Sequence, residues 1–347
     1  MAFLRSPDFF DFVDRHRMSL VKFALKGNGE VPGMAGCAAE PITSPQVIVA
    51  IERIVQGVLE SLSRNEAPVL TVENRSTWTN IGFSDSVGLH MVKDCNTRKI
   101  RSDCPRSALH FALTMKILSV IHKLVQTDTY ATKRDIFYDN VQLYGSQKTV
   151  DSIITDISCM LKIPRRSLHI LSTSKGCVAG DLVFTEEDGT RVICNSNSSG
   201  KGIPDLNTRL FVRKLWDTFQ IPIFTLVDGD PHGIEIMCIY KYGSVSMSFE
   251  AHNLTVPSVA WLGLLPSDIE RLNIPEQALI PLSGEDQKKL SSLERRPYVS
   301  SQPLWKRELE MMSARKMKAE IQALTSLSPT YLTRVYLPNK LQFGGWI

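Results

Sequence analysis

Arg134 and Tyr138 stand four residues apart, a spacing that puts a guanidinium and a phenol on one face of a helix. A phenol ordinarily titrates at about pH 10 and attacks poorly at neutral pH unless a cation or base assists it. An arginine one turn away could stabilise charge on an attacked phosphate, because guanidinium matches phosphate geometry. On spacing alone, the plainer reading is an exposed aromatic on a DNA-binding helix. A second pair, Asp228 and Asp230, brackets one glycine directly after an apolar run. Two close carboxylates beyond the C-terminal end of a parallel strand suit Mg²⁺, which takes one or two carboxylates plus waters and phosphates. A solvated acidic turn accounts for Asp-Gly-Asp-Pro as well.

Cations cluster locally. Arg98, Lys99 and Arg101 precede a long helix, Lys133 and Arg134 lie near the tyrosine, Arg165 and Arg166 follow a third helix, and Lys175 comes next. Each alone reads as a solvated charge. Together they occupy the places where a winged helix meets phosphates.

The elements that must hold these residues follow from periodicity and caps. Ser44-Pro45 reads as a helix start, and Val47, Ile51, Ile54, Val58 and Leu62 give it an apolar stripe. Residues 69–72 read as a short strand. A second helix is expected over 107–125 on the spacing of Leu109, Leu113, Ile117, Val120 and Leu124. Thr132 and Asp135 fit a capping box, so Tyr138 lies about a turn and a half into a short helix. A further helix is expected over 147–161. Strands follow over 168–171, 181–185 and 190–194, the last two joined by a turn at 187–189. Three helices and then a β-hairpin make a winged helix-turn-helix pattern.

The remainder has a different rhythm. Residues 221–227 are a nearly unbroken apolar run, as in a buried parallel strand, and a helix over 232–240 follows the aspartates. Further strands are expected at 245–249 and 278–282, and a final helix at 305–324. Alternating signals of this kind point to an α/β domain. Residues 8–25 carry a helical apolar face, and residues 27–43 read as a tether.

Length and composition agree. The chain has 347 residues, enough for two cores, with 43% hydrophobic and 22% charged residues and a net charge of +4. So weak a global charge means that any nucleic-acid surface must be local. Seven scattered cysteines without a CxxC pair suit reduced thiols rather than a zinc site or disulfide framework. Asp8, Asp11 and Asp14 argue against a signal or transit peptide, no apolar run is expected to approach transmembrane length, and no membrane partner is expected.

Longer motifs carry a resemblance. Residues 130–138 (Tyr-Ala-Thr-Lys-Arg-Asp-Ile-Phe-Tyr), 167–176, 200–209, 226–233, 261–266, 318–324 and 336–346 together resemble the meiotic double-strand-break transesterases, eukaryotic relatives of the A subunit of topoisomerase VI. The resemblance covers nearly the whole chain, and its last stretch looks like the vertebrate form. It implies an α+β multidomain fold, a winged-helix (CAP-like) domain followed by a truncated α/β Toprim domain. The expected parts are an N-terminal helix and tether at 1–43, the winged-helix domain at 44–194, a linker-like junction at 195–199 and the Toprim domain at 200–347. It implies Tyr138 as nucleophile, Arg134 as its helper, and Asp228 and Asp230 as holders of Mg²⁺. Lys133, Arg165, Arg166, Lys175 and Lys201 are the expected DNA contacts. Relatives can carry two adjacent tyrosines; here Phe137 fills the first place.

The implied reaction is type IIB topoisomerase-like: Mg²⁺-dependent cleavage of both strands of meiotic DNA through a 5′-phosphotyrosyl link, starting homologous recombination in the nucleus. The implied partners are double-stranded DNA, a second copy of the chain, and a topoisomerase VI B-like subunit. One departure stands out. Between Cys194 and Gly200 the family carries the first Toprim strand and helix, the strand ending in a glutamate that completes the site. Here five residues, Asn195 to Ser199, fill that place, whereas a βαβ unit takes about thirty or more. Losing a central strand should leave residues 221–227 without a neighbour and expose apolar surface. Glu186 and Glu187 fall on the expected hairpin, and Glu235 one turn into the helix after the aspartates. A form that binds DNA and partners without cleaving is the alternative.

Overall fold

Helix α1 (Ser44–Ser63) starts one residue earlier than its Ser-Pro pair suggests: Thr43 is the cap, and its N–H donates to Gln46 Oε1 at 2.8 Å. The computed structural model describes residues 42–171, 183–185, 191–193 and 205–347. The expectations for the helix at 8–25, the tether through residue 41, the turn at 187–189, the junction at 195–199, Lys175 and Lys201 lie outside the described residues.

After α1 come β1 (Val69–Glu73), β2 (Ile81–Ser84), β3 (Gly88–Met91) and β4 (Thr97–Arg101). Then follow α2 (Ala108–Gln126), β5 (Ala131–Thr132), α3 (Lys133–Asp139) and α4 (Gln147–Leu161). Strand β6 (Ile170–Leu171) pairs in parallel with β5, and β7 (Val183–Thr185) pairs antiparallel with β8 (Arg191–Ile193). Val47, Ile51, Ile117, Ile136, Ile154 and Leu168 join in one core, each at most 4% exposed. Helix α2 corrects one expectation: its length and mean hydropathy of 1.4 would suffice to cross a membrane. In this fold its apolar face, including Leu113, Ile117 and Ile121, is spent on the first core.

The second half contains α5 (Leu206–Phe219), β9 (Phe224–Leu226), α6 (Pro231–Tyr242) and β10 (Ala260–Gly263). Strand β11 (Ile280–Pro281), α7 (Gly284–Glu294), α8 (Pro303–Arg315) and β12 (Met317–Lys318) follow. Trp261, Met237, Leu293, Tyr298 and Trp305 centre its core. The hairpin β2–β3 belongs here rather than to the first core. Leu89 is fully buried among these residues, and Thr255 Oγ1 donates to the Val87 carbonyl at 2.9 Å. Gly88 makes that docking possible: its φ of +85° and its closeness to the Tyr242 backbone leave no place for a side chain.

Three expected elements differ. Residues 245–250 form a 3₁₀ helix, not a strand. The strand expected at 278–282 shrinks to two residues, and the final helix stops at Arg315, where Lys316 takes a left-handed φ of +56°. The apolar run at 221–227 yields a three-residue strand, β9, whose hydrogen-bonded neighbour among the described residues is β10. Ile221 is 46% exposed and residues 223–228 are half-buried. The expected lack of a neighbour is thus corrected: β10 pairs with β9, Ile223 and Val227 pack against the second core, and Phe224 packs against Ala260, Leu262 and Trp346.

Candidate catalytic and metal-binding site

Tyr138 is displayed by a short helix held at both its start and its inner face. Thr132 N–H donates to Asp135 Oδ2 at 2.7 Å, and Asp135 N–H donates back to Thr132 Oγ1 at 3.2 Å. That reciprocal box satisfies two backbone donors, each such cap being worth about 1 kcal/mol. Ile136 points into the first core at 4% exposure. Phe137 packs beside it against the same core, and Arg134, Asp135 and Tyr138 are exposed. Tyr138 is 68% exposed with its ring 5.5 Å from that of Phe137, and Arg134 is exposed one turn before it. Phenol and guanidinium, four residues apart, are both exposed on this helix, as their spacing predicts.

The expected DNA-contact lysine and arginines divide. Arg166 is exposed. Lys133 is mostly covered: its Nζ lies 3.5 Å from Asp151 Oδ1. Burial, with Arg165 nearby, brings its ammonium down to about 8. Arg165 is withdrawn from the surface set. It is 8% exposed, its Nη2 sits 3.5 Å from Met247 Sδ, and burial lowers its pKa. It faces Glu250, whose carboxyl is raised to about 7 by burial against the opposing pull of Arg165 and Arg209. Arg165 thus joins the first core to the second instead of meeting a ligand. Among the other cations, Arg98 and Arg75 both engage the buried Asp156, and Arg101 pairs with Asp103 at 2.7 Å.

Asp228 and Asp230 sit where β9 hands over to α6. The parallel ladder extends past β9, with Val227 N–H donating to the Gly263 carbonyl at 2.7 Å, and the chain then turns. Asp230 caps α6: its Oδ1 accepts from Gly233 N–H at 2.6 Å. A Cβ on Gly233 would come within 2.5 Å of the Asp228 carbonyl oxygen, so glycine is what lets the helix start pass so close. Asp228 Oδ1 accepts from Ile321 N–H at 2.8 Å. Both carboxylates are half-exposed, oriented by one backbone hydrogen bond each, with one oxygen of each outside those bonds.

That arrangement fits a divalent cation of the Mg²⁺ type, which needs one or two protein carboxylates and completes its shell with water and phosphate. It fits as a pair. Among the described residues no group of three His, Cys, Asp or Glu is arranged to hold a metal ion. Glu235 is not the third acid, because Lys289 Nζ at 2.6 Å and Arg296 Nη2 at 3.2 Å already engage it.

The surroundings of the pair include residues that the motif reading did not single out. Gly229 and Ala319 exchange backbone hydrogen bonds of 2.8 and 3.2 Å in an antiparallel bridge. This brings the strand edge 318–320 against the aspartates. Lys318 Nζ donates to Asp286 Oδ2 at 2.8 Å, and His232 Nε2 lies 3.6 Å from Asp286 Oδ1. Burial pushes the Asp286 carboxyl up, but hydrogen bonds from Lys318 and Ser283 outweigh it and bring it to about 2. Lys318 is raised in turn, chiefly by Asp286, with Asp230 and Glu320 adding to the field. The signal was present in Lys318-Ala-Glu, but only the tertiary bridge shows what it faces.

Tyr138 and the aspartate pair therefore stand on different cores. Comparison with known proteins gives both halves a context. The family profile for the Toprim domain of Spo11 and the topoisomerase 6 A-subunit matches residues 196–341, and that described as "Type IIB DNA topoisomerase" matches residues 109–170. The "Meiotic recombination protein SPO11" of Mus musculus is 57% identical over 388 aligned positions, covering 98% of this chain and 97% of that protein. The protein of the same description from Homo sapiens is 56% identical with the same coverage. The DNA topoisomerase 6 A-subunit of Arabidopsis thaliana is 31% identical over 346 positions, covering 86% of this chain and 80% of that protein. An alignment of 388 positions against a chain of 347 residues leaves at least 41 positions opposite gaps in this chain.

Proposed function

The chain belongs to the family of Spo11 and the topoisomerase VI A-subunit and is a topoisomerase-like transesterase of meiotic double-strand-break formation; from that premise we propose that Tyr138 is its nucleophile and that Asp228 and Asp230 hold its Mg²⁺. The observation that carries the proposal is the open face of α3, where an exposed phenol and an exposed guanidinium project from a helix fixed by its cap and by Ile136.

In the reaction the Tyr138 oxygen attacks a phosphorus of the DNA backbone, the phenolic proton passes to solvent, and the 3′ oxygen leaves and takes a proton from solvent to become a free 3′ hydroxyl. The DNA 5′ phosphate then stays on the tyrosine as a phosphodiester. One ester replaces another, so the bond energy is conserved. Arg134 stabilises the charge that builds on the phosphate, where a planar guanidinium is worth more than a point charge. Asp228 and Asp230 orient the cation site through their backbone hydrogen bonds. Asp228 and Asp230 would hold Mg²⁺, which would supply Lewis-acid polarisation of a phosphate oxygen.

The helices around α3 and the hairpin β7–β8 form the winged-helix part, with Arg166 among its phosphate contacts and Lys175 as a further candidate, while Lys201 is a candidate contact from the Toprim part. The division near residue 194 separates that part from a Toprim part, except that hairpin β2–β3 is built into the second core. Tyr138 and the aspartate pair rest on different cores, which suits a dimer in which one copy's tyrosine serves its partner's metal site. A topoisomerase VI B-like subunit completes the assembly, and its place of work is chromosomal DNA in the nucleus.

The test is to combine the chain with its B-like partner, duplex DNA and Mg²⁺ and to look for protein linked to 5′ ends. The chain should form the link and Tyr138→Phe should form none. Linkage retained by Tyr138→Phe would remove the assignment.

A further inference from the structure

The strand edge opposite the aspartates presents a cation to the face on which the DNA phosphate would lie. In an antiparallel bridge centred on Gly229 and Ala319, Asp230 stands across from Lys318 and Asp228 across from Glu320, with directly opposed side chains on one side of the ladder. The hydrogen bond from Ile321 N–H to Asp228 Oδ1 keeps that edge close. Lys318 is aimed by an anchor that is itself fixed. The Asp286 side chain is 4% exposed and accepts from Ser283 N–H at 2.9 Å and Ser283 Oγ at 2.8 Å as well as from Lys318 Nζ. An ammonium has three donors. One is given to Asp286, and the Lys318 side chain remains 19% exposed to solvent.

Charge argues in the same direction. Asp228, Asp230, Asp286 and Glu320 gather about this edge, and a phosphodiester approaching them meets like charge. A lysine on the same face offsets that repulsion in a way that does not depend on the metal. We propose that Lys318 is a substrate-contact residue whose ammonium takes a phosphodiester oxygen of the DNA strand passing Asp228 and Asp230, with Asp286 as the positioning residue that aims it. The inference rests on Asp228 and Asp230 being the metal-binding face of a DNA-cleaving site. The competing account is an ion pair that only ties β12 to α7.

DNA binding across a salt series separates the two, because each phosphate contact carries a slope of about 0.9 in log K against log salt. The parent is the full chain carrying Tyr138→Phe, so that binding of a short duplex is read without cleavage. Lys318→Met should bind roughly 3- to 10-fold more weakly and lower the slope by about 0.9. Lys318→Arg should restore the slope. Asp286→Asn should keep the slope and lose part of the affinity, the ammonium being present but no longer aimed. If Lys318→Met melts early, the arginine and asparagine variants carry the comparison. A Lys318→Met slope equal to the parent's, or an arginine variant that fails to restore it, overturns the proposal. A parent that binds no duplex overturns the function proposed above, which is a different failure.

Discussion

Tyr138 rides on a helix whose inner residue, Ile136, enters a core in which Ile117, Ile153, Ile154 and Ile157 are fully buried. Asp228 and Asp230 follow a three-residue strand with one paired neighbour among the described residues, and Ile221 is 46% exposed at its approach. The first foundation seats the tyrosine helix on a helical core through Ile136 and Phe137. The second is held from one flank by β10 and from above by the Gly229–Ala319 bridge. The difference teaches that the proposed nucleophile and the proposed metal-binding pair depend on different parts of the sequence. A change between Cys194 and Gly200 can reshape one and leave the other in place. It also shows how the aspartates keep their orientation: by backbone hydrogen bonds from Gly233 and Ile321 rather than by a broad sheet.

The sharpest way to break this comparison is to cut into each foundation. Ile154→Ala empties a fully buried site in the first core and should cost about 2–5 kcal/mol, whereas Ile221→Ser at the second should stay within about 0.5 kcal/mol. Denaturant melts of both variants check this, and equal losses would dissolve the contrast. A smaller effect comes from rebuilding. Inserting a strand and helix, the strand ending in glutamate, between Cys194 and Gly200 should give β9 a second neighbour. Amide exchange at residues 224–226 should slow, and Mg²⁺ should bind about tenfold more tightly, a gain of about 1.4 kcal/mol. Unchanged exchange and affinity would mean that the second foundation is not short of a strand. The smallest effect is local: Thr132→Ala removes the cap of the tyrosine helix and should cost about 1 kcal/mol. It should lower linkage at Tyr138 while leaving Mg²⁺ affinity untouched, which calorimetry would show.

Periodicity and caps made the first region legible. The stripe from Val47 to Val58, the Thr132–Asp135 box and the apolar face of 147–161 are local signals that the structure keeps, whereas Leu62 at the end of the expected stripe is exposed. What escaped was tertiary. Arg165 looked like a surface cation because burial against Met247 and Glu250, far along the chain, leaves no local mark. Hairpin β2–β3 went unread because its apolar residues serve a core that lies mostly more than a hundred residues onward. The run at 221–227 carries the composition of a strand covered on both sides, yet its exposure depends on which strands stand beside it. Lys318 and Asp286 are 32 residues apart in sequence. Neither has a spacing that speaks for a site until the Gly229–Ala319 bridge brings 318–320 against the aspartates.

The central claim is that Tyr138 carries the DNA. It is tested most directly by nuclease digestion of the covalent complex followed by mass spectrometry of its peptides. A nucleotide adduct should fall on the peptide containing Tyr138, at the phenolic oxygen. An adduct on Tyr130 or Tyr144 instead, or on no tyrosine, would contradict the account.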